Sequence, residues 1–148
     1  MFHRILVGTD GSEAAARALG LAADLAQRSG AELTLLHVPH PETVAFALGA
    51  VAGYHAVTTM PPESEIAEAA DKVIAEATEK LTAAGRTPDR AEWRRGDPGV
   101  AMIEMAKEID ADLIVTGRRG LGSLSGLILG STSQYIAHHA TCAVLTVP

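Results

Sequence analysis

A chain of 148 residues with 47% hydrophobic but only 3% aromatic content fits one domain, with a core built from Ala, Val, Ile and Leu, the mixture that suits helices packed on parallel strands. Its formal net charge of −6 argues against a nucleic-acid-binding footprint, which needs clustered Lys and Arg. The lone Cys142 excludes an intramolecular disulfide and points to a reducing, cytoplasmic setting, and no stretch has the layout of a secretory signal or the roughly 20 apolar residues of a membrane span.

In chain order, Ile5 to Thr9 reads as a short apolar strand ended by Asp10-Gly11-Ser12. Small and apolar residues then recur at helical spacing, at Ala14, Ala18, Leu21, Ala22 and Leu25, with Ser12 placed to cap the helix and Ser29-Gly30 to close it. Leu33 to Val38 supplies a second apolar strand. From Pro39 to Pro62 prolines, glycines and small residues break every period, which predicts a long loop suited to a lid or a partner surface. Glu63 opens a helix with an apolar face of Ile66, Ala70, Val73, Ile74, Ala77 and Leu81, and Gly85 ends it. Ala91 to Arg95, with Trp93, is a short polar strand that suits a sheet edge. Asp97 is placed to cap a third helix that starts at Pro98, with Val100, Ile103, Ala106, the Lys107 stem and Ile109 as its expected buried stripe. Leu113 to Thr116 is the fourth strand. A short helix from about Ser131 to His138 leads to the fifth, Cys142 to Val147, in which Cys142 reads as a small hydrophobe. This alternation predicts an α/β fold: a doubly wound, mostly parallel five-stranded sheet with helices on both faces. The polar third strand asks for an edge, and the order 3-2-1-4-5 provides one.

In such a sheet ligands bind beyond the carboxyl ends of the strands, where the winding reverses, here between strands one and four. Two loops meet there: Gly8-Thr9-Asp10-Gly11-Ser12, and the run Gly117-Arg118-Arg119-Gly120-Leu121-Gly122-Ser123. Gly117, Gly120 and Gly122 leave room for backbone N–H groups against an anion, and Gly130-Ser131-Thr132-Ser133 adds a helix N-terminus with hydroxyl groups. Residue chemistry alone accounts for these positions equally well as a phosphate site or as turns and caps. Arg118 and Arg119 stand either toward phosphate or toward solvent. No Lys follows Gly130, so this is not a Walker A loop, and its place after a late strand separates it from the dinucleotide fingerprint. The six histidines show no metal-ligand spacing, so no resident metal is expected. Any Mg²⁺ would arrive with nucleotide phosphates.

The spacing Gly117, two residues, Gly120, nine residues, Gly130, Ser131 resembles the pattern of the universal stress protein family. The likeness extends to Ile5-Leu6-Val7-Gly8-Thr9-Asp10-Gly11-Ser12, Leu35-Leu36-His37-Val38 and Asp112-Leu113-Ile114-Val115-Thr116-Gly117, and so to nearly the whole chain. The resemblance implies an ATP-binding member, in which Asp10 and Gly117 sit by the ribose, Val38 lines the adenine pocket, and Gly120, Gly130, Ser131 and Thr132 hold the phosphates. It also implies a two-fold homodimer through the last strand, whose apolar edge invites pairing. Gly8-Thr9 stands where the family often has Pro-Val, which loosens contact on the adenine but keeps the acid. No residue is assigned to position water for hydrolysis, so the expectation is a nucleotide-dependent regulatory or stress-response module. The rival is an enzyme of the same architecture, acting by slow hydrolysis, self-phosphorylation or adenylyl transfer.

Overall fold

Short β-branched and aliphatic stretches form five strands, and the alanine-rich stretches between them form helices that can lie close on a sheet. The computed structural model describes residues 1–40, 62–118 and 129–148. In chain order these form β1 (Arg4–Thr9), α1 (Glu13–Ser29), β2 (Glu32–His37), α2 (Glu63–Ala83), β3 (Arg90–Trp93), α3 (Pro98–Glu108), β4 (Leu113–Gly117), α4 (Ser131–His139) and β5 (Ala143–Val147). The sheet order is β3-β2-β1-β4-β5, as the sequence predicts, and every pairing is parallel where a mostly parallel sheet was expected. Central β1 pairs with β2 from Arg4↔Glu32 to Thr9↔His37 and with β4 from Ile5↔Leu113 to Val7↔Val115.

Strand alternation sends Ile5, Val7, Leu33, Leu35, Leu113 and Val115 to a layer formed by α1 and α2, and Leu6, Leu36 and Ile114 to a layer formed by α3 and α4. Each of these aliphatic side chains contributes about 1.5–3 kcal/mol by full burial. Helix α1 begins where Ser12 Oγ accepts from the Ala15 N–H at 3.2 Å, and α3 begins where Asp97 Oδ1 accepts from the Val100 N–H at 3.0 Å, with Pro98 in its first turn.

Two helical faces differ from their sequence reading. On α1 the buried face is Ala14, Ala15, Ala18, Leu19, Ala22, Ala23 and Ala26, and Leu21 is exposed; the alanines let the helix sit close to the sheet, and the larger Leu21 falls outside that contact. On α3 the buried residues are Gly99, Ala101, Met102, Ile103, Met105 and Ala106, while Val100 and Lys107 face out and Ile109 is only partly covered. Met102 and Met105 take core positions in one cluster with Leu6 and Ile114, where an unbranched side chain adapts readily to its neighbours. Strand β3 begins one residue earlier than predicted and ends at Trp93. The predicted loop lies outside the described residues from 41 to 61, and so does the segment from 119 to 128.

The sheet has two unlike edges. At β3, Glu92 accepts from Arg90 Nε at 2.8 Å and Arg94 Nε at 2.7 Å, while Glu108 on α3 accepts from the same two arginines at 2.9 and 2.6 Å. On the other face, Trp93 Nε1 donates to Asp71 of α2 at 3.0 Å. Strand β5 carries no charged residue; Val144 packs toward α3 and α4, and Leu145 toward α1.

Candidate functional site

The winding reverses at β1, whose neighbours β2 and β4 are reached by crossovers on opposite faces, so the carboxyl ends of β1, β2 and β4 border one crevice. Thr9 and Asp10 stand at the end of β1, Val38 directly after β2, and Gly117 at the end of β4. Val38 and Thr9 are buried and Asp10 is half-buried.

The β1–α1 turn is held by its own side chains. Thr9 Oγ1 accepts from the Gly11 N–H at 3.2 Å, and Asp10 Oδ1 accepts from the Ser12 N–H at 2.9 Å. Asp10 therefore serves the turn through one oxygen whatever else it touches. A buried histidine adds a further tie: His37 is only 1% exposed and its Nδ1–H donates to the Thr9 carbonyl at 2.9 Å. Burial pushes its imidazole below the ordinary histidine range, against the opposing pull of the Thr9 carbonyl and the Asp10 carboxylate. His37 had no site role in the sequence reading; its only signal was a polar ring inside an apolar strand, one residue before Val38.

Two glycines of the site have packing reasons for lacking side chains. A Cβ on Gly117 would stand 2.9 Å from the Ala14 carbonyl carbon and from the Ala15 nitrogen, both backbone atoms of α1. A Cβ on Gly8 would stand 2.9 Å from Met102 Sδ, a side chain that can move. Gly117 thus joins the end of β4 to the first turn of α1, next to the turn that carries Asp10.

The second loop is described at its two ends, which meet. The Arg118 N–H donates to the Val147 carbonyl, and the Arg118 carbonyl accepts from the Gly130 N–H at 2.7 Å and from Ser133 Oγ at 2.8 Å. Ser133 is buried and its hydroxyl also lies 3.0 Å from the Gly130 carbonyl, so it clasps the loop ends together. Gly130 is the N-cap of α4 and supplies no side-chain cap; Ser131 and Thr132 occupy the first turn. Among the described residues the opening N–H groups of α4 have no side-chain cap, and Arg118, whose carbonyl accepts from the Gly130 N–H, has its Nε buried with no hydrogen-bond partner. Both features suit an anion. Arg119 and Gly120 lie outside the described residues.

Among the described residues no three of His, Cys, Asp and Glu gather as a metal site, and no helix is long and apolar enough to cross a membrane. His37 is inside the fold, while His138 and His139 are exposed on α4, where Tyr135 stacks on His139.

The chain is 33% identical over 153 residues to the universal stress protein YxiE of Bacillus subtilis, with 99% of each covered. It is 38% identical over 147 residues to a Thermus aquaticus universal stress protein encoded in the QAH/OAS sulfhydrylase 3′ region, again with 99% of each covered. A solved universal stress protein in complex with cAMP superposes with a TM-score of 0.72 at 27% identity, over 99% of this chain and 97% of the other. The universal stress protein family matches residues 1–148. With the parallel order 3-2-1-4-5, the Asp10 turn and the Arg118–Ser133 clasp in place, the chain belongs to the universal stress protein family.

Proposed function

We propose that this protein binds an adenine nucleotide, with ATP as its working ligand, and acts as a nucleotide-dependent stress-response module in the cytoplasm. The observation that carries the reading is an α4 N-terminus with no side-chain cap, bonded through the Gly130 N–H to the carbonyl of Arg118, whose Nε is buried with no partner among the described residues. A phosphate held at these loop ends would supply an acceptor for the guanidinium and for the helix N–H groups. The residues therefore fit a phosphorylated ligand, and the cAMP held by a structural neighbour supports an adenine nucleotide. Asp10 and Gly117 would then border the ribose, Val38 the adenine, and Arg118, Gly130, Ser131 and Thr132 the phosphates. Ser133, with its hydroxyl on the Arg118 carbonyl, supports them from behind. Mg²⁺ would enter on the phosphates. Binding is the activity in this reading, and hydrolysis is slow if it occurs. The working unit is a homodimer joined along β5, the sheet edge without charges.

Calorimetric titration with ATP, ADP, cAMP and adenosine tests this, together with analysis of the nucleotide released from purified protein. ATP is expected to bind once per chain, and Arg118→Gln to weaken ATP about tenfold while leaving adenosine unchanged. No binding by any of the four refutes the nucleotide reading. Turnover of several ATP per second refutes the binding-module reading.

A further inference from the structure

We infer that His37 is a positioning residue for the nucleoside half of the site, bracing the turn that carries Asp10 against the strand that carries Val38. The inference rests on the nucleotide reading above. A leucine at this place would fill the interior with no polar group to satisfy, whereas a buried imidazole costs free energy unless its nitrogens find partners. Its Nδ1–H finds the Thr9 carbonyl. The anchor side of this bond is stiff: Thr9 and His37 are register partners, His37 is in turn paired with Trp93, and the His37 carbonyl accepts from the Arg94 N–H at 2.9 Å.

The other side leads straight into the turn. Thr9 bonds the Gly11 N–H, Asp10 the Ser12 N–H and Ser12 the Ala15 N–H, and the Ala14–Ala15 backbone lies against Gly117. Val38 follows His37 directly in the chain, and Asp10 follows Thr9. This side-chain bond adds to the Thr9↔His37 strand pairing in holding the residue proposed for adenine at a fixed distance from the residue proposed for ribose. A support of this kind raises affinity by holding the binding groups in place before the ligand arrives.

The test compares His37→Asn, whose amide nitrogen can donate from the Nδ1 position, with His37→Leu, which cannot donate, each confirmed as folded by thermal melting. Calorimetry with adenosine and with ATP is expected to give about a tenfold weaker affinity for both ligands in His37→Leu and near wild-type affinity in His37→Asn. Hydrogen exchange without ligand is expected to show faster exchange of the Gly11 and Ser12 amides in His37→Leu alone. Folded His37→Leu that binds adenosine as the wild type does overturns the inference, as does His37→Asn that binds as weakly as His37→Leu. A loss confined to ATP overturns it too, since the brace serves the nucleoside. Wild-type protein that binds neither ligand refutes the nucleotide reading instead, and the exchange data then decide the brace alone: unchanged Gly11 and Ser12 exchange overturns it.

Discussion

Protonating His37 would put a charge on an imidazole that is 1% exposed, against desolvation that the nearby Asp10 carboxylate only partly offsets. The sign follows from linkage. The folded-state pKa lies below the unfolded value of about 6.5, so the unfolded chain takes up the proton first. The stability associated with neutral His37 is complete above about pH 6.5 and is lost as the pH falls from there toward the folded value. Thermal melts between pH 8 and 5 should show the wild type losing stability more steeply below about pH 6.5 than His37→Asn does. Parallel curves would contradict the assignment. At this scale the sequence was legible where a residue type is demanded by local geometry: Ser12 and Asp97 cap the helices they were expected to cap. His37 was not legible as a brace, because nothing in a strand pattern distinguishes a histidine that ties two elements from one that merely ends a strand.

Helix α1 approaches β4 so closely that a methyl group on Gly117 would press on backbone atoms, which unlike a side-chain end cannot swing aside. Gly117→Ala is expected to lower unfolding stability by about 1–3 kcal/mol in urea melts, with or without nucleotide. A variant as stable as the wild type would mean that α1 can shift without cost. Element order, the parallel sheet and its edge strand could be read from the alternation of apolar strands with helical periods and from the polarity of Arg90–Trp93. The buried faces of α1 and α3 could not be fully read, because alanine and methionine carry weak periodic signals. On α1 seven residues, six of them alanines, form the contact, and on α3 the stripe lies one residue out of phase with Val100.

Among the described residues the two edges of the sheet differ in what they present to a further strand. At β3 the arginines and glutamates that link strand to helix α3 keep charges along the edge, a device that discourages a further strand. At β5 the Ala143 N–H donates to the Asp112 carbonyl and the Val147 carbonyl accepts from the Arg118 N–H, so these alternate positions turn their main chain toward β4. Val144 and Thr146 then present theirs outward. Thr146→Pro removes one outward donor and leaves the β4 ladder intact. Light scattering should find the wild type dimeric and this variant shifted to monomer, with little change in its melting temperature. A dimer of unchanged strength would rule out β5 as the contact.

The close fit of Gly117 against α1 bears on how family membership should be read. Drift that abolished nucleotide binding would leave the demand for glycine at the end of β4 in force, since the demand comes from the neighbouring helix. A descendant chain that had become purely structural would keep this part of the signature and look, by pattern alone, like a nucleotide binder. Divergence within the family should therefore be sought at Arg118, Ser131 and Thr132, where the fold itself makes weaker demands on the side chains than at the buried Ser133.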